Sequence, residues 1–276
     1  MNVRGLSVVL TKAVVAVGLL GLGSCGRGDA AGKLQLSQPV ACTLGEDCFV
    51  LQYVDRDPTS GAVDFACGKQ TQDDHDGTDF ALRDLQAAAA GVEVRAAAAG
   101  TVLRVRDGVP DRLIRSGEEA AAVNDIGCGN AVVIDHGEGW QSNYCHLRNG
   151  SVAVAPGDTV NSGDRLGEVG ASGLASFPHV HFGLQYQGET VDPFVGLTEE
   201  TGCAVDAKPL WSNATAYVAT GLVRAGFAST PPSTPDLWEG KFAETSLSVD
   251  VPVLLFWVLA YGLQPGDEEV YRLTAP

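Results

Sequence analysis

From Val92 onward the chain alternates short apolar runs with polar breaks. Seven runs of six to ten residues, rich in valine and leucine, are separated by glycine, aspartate and proline: VEVRAA, GTVLRVR, NAVVIDH, WQSNYCHL, SVAVAPGDTV, DRLGEVG and HVHFGLQY. Short, partly alternating runs with turn residues between them are typical of antiparallel strands. The pattern predicts an all-β fold whose core is an antiparallel sheet or sandwich.

Two segments modify this β pattern. Residues 107–127 interrupt it with DRLIRSGEEAAAV, which is long enough for one or two helical turns and is predicted to be a surface insert. From residue 207 to the end, further strands are predicted, interrupted by a loop at 229–235. The apolar run 251–263 is too short to span a bilayer and contains Pro252, so it is interpreted as a buried strand pair.

The N-terminus has the layout of an export signal. Arg4 and Lys12 precede the apolar stretch 13–22, which is too short for a permanent membrane helix, and LGSC then ends at Cys25. This segment resembles a bacterial lipoprotein signal, which implies that Cys25 is the lipidated first residue of the mature chain. An ordinary secretory signal and a buried N-terminal helix are the alternatives.

Composition and cysteines agree with an exported, folded protein. Of 276 residues, 45% are hydrophobic, and the formal charge of −16 disfavours binding to nucleic acid. The even number of cysteines left after Cys25 predicts disulfides, although six cysteines allow fifteen pairings. The preferred pairs are Cys42–Cys48, which its short loop favours, then Cys128–Cys145 and Cys67–Cys203.

Two groups of residues could bind a metal. Strand alternation places His179 and His181 of FPHVHFG on one face, although a pair of exposed histidines without a ligand is the alternative. His75 and Asp79 flank Gly77, which favours a loop or strand end over a helix. Two imidazoles and one carboxylate together suit a catalytic zinc with its fourth position open to water.

The remaining histidines have different predicted roles. His146 is placed on a strand whose same face carries Tyr144, with Cys145 on the opposite face. His136 lies at a predicted hairpin corner and is interpreted as structural. Three neighbouring carboxylates are interpreted as a solvated acidic loop, with contact to a ligand histidine as the alternative: Asp73, Asp74 and Asp76.

The order of several motifs resembles the lysostaphin-type zinc endopeptidases, which cut peptidoglycan cross-bridges. The motifs are HDGTDFAL, CGNAVVIDHGEGWQSNYCHL, VAPGDTVNSGDRLGEVGASG, PHVHFGL and VDPF, from about residue 72 to 194. The resemblance implies that His75, Asp79 and His181 bind one zinc ion. It implies that His146 and His179 stay unliganded beside a zinc-activated water, the nucleophile.

General chemistry assigns roles to the two unliganded imidazoles. One of His146 and His179 is expected to act as general base while the other donates to the developing oxyanion, and the sequence does not say which. Tyr144 is either a further hydrogen-bond donor to the tetrahedral intermediate or a residue of hairpin packing.

The chain departs from the pattern of this family at three places. Phe177 replaces the usual glycine before Pro-His, Gly183 replaces a usual acidic residue, and the 107–127 insert lengthens a region near the groove. Some relatives have lost zinc ligands and activate other hydrolases, but this chain retains the whole set. A biotinyl-type or lipoyl-type carrier domain is excluded, because no lysine lies between Lys69 and Lys208.

The sequence therefore predicts an exported, lipid-anchored zinc endopeptidase of the bacterial cell envelope. Its substrate is the peptide part of peptidoglycan, and a cross-link between two stem peptides is preferred over a glycine bridge. The alternative is a non-catalytic envelope protein that activates other cell-wall hydrolases. The predicted organisation is a signal peptide at 1–24, a tether at 25–40, the zinc endopeptidase domain at 41–205 and a C-terminal β-rich accessory region at 206–276.

Overall fold

The computed structural model describes residues 34–213, 216–242, 248, 250–272 and 274. The predicted signal peptide and Cys25 lie outside this part of the chain. The described residues are mostly β, with antiparallel sheets and a few short helices, which confirms the predicted all-β class. In chain order the elements are β1 (Cys48–Gln52), β2 (Gly77–Leu82), α1 (Leu85–Ala89), β3 (Glu93–Arg95), β4 (Gly100–Arg106), α2 (Gly117–Ala122), a 3₁₀ turn (Asn124–Ile126), β5 (Asn130–Gly137), β6 (Trp140–Leu147), β7 (Thr159–Val160), β8 (Arg165–Glu168), β9 (His179–Tyr186), β10 (Glu189–Thr190), β11 (Gly221–Ala228), α3 (Thr234–Trp238) and β12 (Leu255–Tyr261).

The main sheet has eight strands in the order β1-β2-β9-β6-β5-β4-β7, with β10 paired to the end of β9. All of its pairings are antiparallel. β5 and β6 form a hairpin whose two turn residues, Glu138 and Gly139, both have positive φ, as the twist of a two-residue hairpin requires. The arrangement places β2, β9 and β6 side by side at the centre of the sheet.

One face of this sheet covers the core. Phe80, Val180, Phe182 and Ile134 belong to this core and are at most 2% exposed. The two-stranded β3–β8 sheet contributes Val94 and other apolar residues to the same cluster. Since the apolar side chains fill one face, the polar side chains of the central strands are left on the other.

Several local elements differ from the sequence expectations. β1 and β2 precede the first predicted strand, and SVAVAPGDTV yields only the two residues of β7. The 107–127 insert does contain helical turns, since Ser116 caps α2 by accepting a hydrogen bond from Glu119 N. The predicted loop at 229–235 includes the start of α3, which Ser233 caps in the same way.

The apolar run 251–263 forms one strand, β12, rather than a strand pair. Its partner is β11, so the C-terminal region contributes a separate two-stranded sheet. The end of the predicted tether is packed rather than free: Leu36 and Val40 are buried in the core, and Leu36 N donates to Leu210 O. The physical reason is that these apolar side chains gain burial against the domain.

Three disulfides link the described part of the chain. They join Cys42 to Cys48, Cys67 to Cys203 and Cys128 to Cys145, as preferred from the sequence. Within the same residues, no helix is both long and apolar enough to cross a membrane.

Candidate active site

Four of the five histidines converge in one pocket on the polar face of the central strands. The pocket has a volume of about 530 Å³, and His75, His146, His179 and His181 line it together with Asp79. Antiparallel pairing produces the convergence, because Asp79 of β2 is directly opposite His181 of β9. The sequence-predicted site residues are therefore brought together.

His75, Asp79 and His181 each offer one ligand atom, and these atoms lie within 4.8 Å of one another. Asp79 Oδ1 is 3.3 Å from His75 Nε2 and 3.0 Å from His181 Nδ1. Asp79 is only 2% exposed, so its charge is desolvated and needs partners. Two imidazole nitrogens and one carboxylate oxygen form the donor set of a three-ligand catalytic zinc site.

The other nitrogens of the two imidazoles are held by groups outside this set. His75 Nδ1 donates to Tyr53 O at 2.7 Å, which leaves Nε2 free to bind a cation. His181 Nε2 is 3.1 Å from Asp76 Oδ1, which leaves Nδ1 facing Asp79. Such outer hydrogen bonds fix the ring orientation of metal-ligating histidines, so the residues present fit a zinc ion. Asp76 is exposed, as expected of a solvated acidic loop. It also contacts the ligand histidine His181, which was the alternative interpretation.

Gly77 has a steric role that sequence reasoning missed. A Cβ atom at this position would lie 2.4 Å from His181 Nε2 and 2.8 Å from the carbonyl oxygen of Phe182. Any side chain there would displace the imidazole or the strand. The glycine therefore allows His181 to approach β2 closely.

His146 and His179 lie beside this cluster, with their ring centroids 4.5 Å apart. His146 Nδ1 donates to Ser172 O and His179 Nδ1 donates to Phe177 O, both at 2.8 Å. Both imidazoles are nearly fully buried. Since each Nδ1 is a donor to a carbonyl, each Nε2 presents a lone pair.

The electrostatic environment of His181 differs from that of His146 and His179. Burial, reinforced by the neighbouring imidazoles, holds the pKa of His146 well below its usual value, and burial also lowers the pKa of His179. Burial alone would raise the pKa of Asp79, but the surrounding histidines hold it well below the usual range. Burial alone would lower the pKa of His181, but the hydrogen bonds that its ring donates to the carboxylates of Asp76 and Asp79 outweigh burial and raise the pKa to about 10.

The predicted faces of β6 around His146 are wrong. Cys145 lies opposite His181 and lines the pocket, whereas Tyr144 is fully buried and its hydroxyl accepts a hydrogen bond from Ala97 N. The register shifts near the end of the β5–β6 pairing, and His146 has a φ of 61°. A bulge of this kind places successive residues on the same face, so both Cys145 and His146 reach the pocket. Tyr144 is therefore a packing residue.

The positive φ of His146 is unusual for a residue other than glycine. Its backbone N donates to Cys128 O at 2.8 Å, and its ring donates to Ser172 O. These bonds hold a conformation that costs on the order of 1–3 kcal/mol, and such strain clusters at functional sites. The Cys128–Cys145 disulfide lies beside it and lines the same pocket.

His136 lies outside the pocket. Its Nδ1 donates to Ala99 O at 2.8 Å, and its Nε2 is 2.7 Å from Ser142 Oγ. Both nitrogens are thus used within the sheet, as a structural histidine requires. The pocket walls also include residues for which the sequence predicted no role in the site: Ile114, Asn143, Leu174 and Phe177. Two of them lie at departures from the family pattern, Ile114 in the 107–127 insert and Phe177 before Pro-His.

Comparison with known proteins gives a family for the central segment. The profile described as Peptidase family M23 matches residues 73–193. Cell division protein DipM of Caulobacter vibrioides is 34% identical over 105 residues, covering 36% of this chain and 17% of that protein. Peptidoglycan DD-endopeptidase ShyA of Vibrio cholerae is 30% identical over 118 residues, covering 43% of this chain and 22% of that protein.

A third relative is the murein hydrolase activator EnvC of Escherichia coli, which is 33% identical over 94 residues, covering 34% of this chain and 22% of that protein. The chain thus spans about a fifth of the length of these curated relatives. The family match contains both proposed ligand segments, the strand with His146 and the pocket loop before His179. Residues 73–193 of this chain are therefore similar to the domain of peptidase family M23.

Proposed function

We propose that the protein is a zinc-dependent endopeptidase that hydrolyses peptide cross-links of bacterial peptidoglycan. The observation that carries this proposal is the convergence of His75, Asp79 and His181 beside two further imidazoles in one open pocket. The M23 family match and a relative named as a peptidoglycan DD-endopeptidase support the same class of reaction.

In this proposal His75 Nε2, Asp79 Oδ1 and His181 Nδ1 hold the zinc ion. A zinc ion bound there would polarise a scissile carbonyl and lower the pKa of a water molecule. Tyr53 O and Asp76 keep the two ligand imidazoles in the required tautomers.

His146 and His179 are proposed to move the protons. Their burial keeps them neutral near pH 7, and each Nε2 can accept a proton from the attacking water. The imidazolium formed in this way can then donate to the developing oxyanion or to the leaving amine. Carbonyl oxygens of Ser172 and Phe177 hold both rings at Nδ1, so the orientation is set before substrate binds.

The substrate and the location are further parts of the proposal. A cross-link between two stem peptides is the proposed bond, supported by the DD-endopeptidase named among the relatives. Three disulfides fit an oxidising compartment outside the cytoplasm. Attachment through a lipidated Cys25 would place the domain at the bacterial envelope.

The test is digestion of peptidoglycans of defined composition by the zinc-loaded protein, followed by mass analysis of the released fragments. We expect fragments cut at the stem-peptide cross-link, and no fragments from the His181→Ala variant. His136→Ala is the matched control, because this histidine lies outside the pocket, and it should keep the activity below its unfolding temperature. Full digestion by His181→Ala without metal would refute the mechanism.

The variants His146→Ala and His179→Ala separate proton transfer from metal binding. Each should retain zinc while turnover falls by about 10²–10⁴, the usual contribution of a general acid or base. Loss of zinc in either variant would show that the ligands and the proton carriers are misassigned.

A non-catalytic activator of other hydrolases is the second candidate, because one relative is named as a murein hydrolase activator. The complete set of His75, Asp79 and His181 favours the enzyme. An activator would release no fragments alone but would increase the digestion of peptidoglycan by a separate wall hydrolase, with or without the His181→Ala change.

A further inference from the structure

The C-terminal region reaches the wall of the pocket. Three elements are here called the C-terminal buttress: β11 (Gly221–Ala228), α3 (Thr234–Trp238) and β12 (Leu255–Tyr261). The buttress packs through Leu237 and Trp238 into an apolar cluster. From the M23 domain that cluster includes Ala171 and Ala175, which belong to the loop that leads to His179. A region beyond the family match therefore contacts the segment that carries a proposed proton carrier.

Two aromatic contacts connect α3 to the pocket. The ring centroids of Phe177 and His179 are 4.4 Å apart, at an interplanar angle of 33°. The ring centroids of Phe177 and Trp238 are 5.5 Å apart, at an interplanar angle of 35°. Phe177 O also accepts the hydrogen bond from His179 Nδ1, so this one residue holds the imidazole through both its ring and its backbone.

Polar contacts fix α3 on two sides. Glu239, directly after α3, pairs with Arg115 of the 107–127 insert. On the other side Gln86 Nε2 donates to Gly240 O at 2.9 Å. Trp238 is only 8% exposed, so its indole fills a site bounded by these anchors rather than lying free on the surface.

Further anchors hold the paired strands β11 and β12 of the buttress. Arg224 pairs with Asp84, the N-cap of α1, and its Nη1 also donates to Leu237 O at 3.1 Å. The guanidinium lies 5.4 Å from the ring centroid of Trp257. The buttress is thus fixed to the domain at several points around the aromatic contact.

We propose that Trp238 is a positioning residue that acts through Phe177 to hold the imidazole of His179 in its working orientation. The geometry gives the C-terminal buttress this role in addition to its contribution to packing. The proposal deepens the proposed function and rests on it for the role of His179. Without the indole, the Phe177 ring loses one of its packing partners, and the ring of His179 loses part of its lateral support.

Three variants test this role: Trp238→Ala, Trp238→Phe and Trp257→Ala. Trp257 is buried in the same cluster but makes no ring contact with Phe177 among the described residues, so it is the matched control for lost packing. We expect kcat of Trp238→Ala to fall by about tenfold to a hundredfold, with little change in KM, as a small misplacement of a reacting group can cause. Trp238→Phe should recover most of this loss, and Trp257→Ala should lower the Tm but keep kcat.

A second readout uses the metal-free protein and requires no activity. In ¹⁵N-histidine NMR spectra, the Nδ1–H of His179 should give a protected resonance, because it is buried and bonded to Phe177 O. The resonance is assigned by its absence from the His179→Ala spectrum. We expect it to remain in Trp257→Ala and to be lost or shifted in Trp238→Ala.

The outcomes separate the two proposals. If the wild-type protein with zinc cleaves no peptidoglycan, the proposed function fails, and the NMR comparison alone decides on the positioning role. If the wild type cleaves, but Trp238→Ala keeps both kcat and the His179 resonance, the positioning role is refuted. Equal losses of kcat in Trp238→Ala and Trp257→Ala, in proportion to their lowered Tm, would refute it as well.

Discussion

Asp192 provides a test of the electrostatics that is independent of the pocket. Its side chain is 2% exposed; Oδ1 accepts a hydrogen bond from Phe194 N at 2.9 Å, and Oδ2 has no partner among the described residues. Burial raises the pKa of this carboxyl to about 7; Phe194 N–H and Arg56 oppose the shift, whereas Asp64 adds to it. Asp192 should therefore carry its proton in the folded protein at mildly acidic pH.

The sign of the effect on stability follows from this raised pKa. Below the unfolded value of 3.8 both states are protonated, so Asp192 costs nothing. As the pH rises from there to about 7, the unfolded chain has released its proton and the folded chain has not, so stability falls. Above about pH 7 the full cost is present, on the order of 4 kcal/mol for a pKa raised from 3.8 to about 7.

The perturbation is Asp192→Asn, measured by urea unfolding of the metal-free protein between pH 5 and pH 8. The amide keeps the acceptor for Phe194 N and does not titrate. We expect the variant to gain about 2–3 kcal/mol in unfolding free energy relative to wild type between these two pH values. The exposed-site control Asp250→Asn should show no such gain. Parallel pH profiles for wild type and Asp192→Asn would refute the reasoning.

Two further predictions concern a glycine of the site and a long-range disulfide. Gly77→Ala should weaken zinc affinity by about 10–100-fold, because its Cβ would meet His181 Nε2. Gly117→Ala, with open space around it, should have no effect in the same titration calorimetry; equal affinities in both variants would contradict the steric role. Replacing Cys67 and Cys203 together by serine should lower the unfolding free energy by about 5 kcal/mol in the loop-entropy model, since their sequence separation is 136. An unchanged urea midpoint would contradict this expectation.

Local patterns in the sequence predicted much of the fold. Alternating apolar runs predicted β4, β5, β6 and β9, because a strand with one buried face must alternate. The same period correctly placed His179 and His181 on one face. The disulfide pairing also followed the preferred order, although only the short Cys42–Cys48 loop had a local reason.

The remaining features depend on contacts that no local pattern contains. The bulge at His146 reverses the alternation, and its cause is the register between β5 and β6 rather than the residues NYCHL themselves. The contact between Phe177 and Trp238 joins a residue inside the family match to a residue beyond it. Leu36 becomes buried only against the folded surface of the domain. The local sequence of residues 25–40 does not contain this contact, so a tether was predicted there.

Zinc binding by the metal-stripped protein tests the central claim most directly. Isothermal titration with zinc, checked by elemental analysis, should give about one ion per chain for the wild type, as a three-ligand site predicts. His75→Ala, Asp79→Ala and His181→Ala should each lose this uptake, whereas His136→Ala should keep it. Unchanged zinc uptake in those three ligand variants would contradict the account.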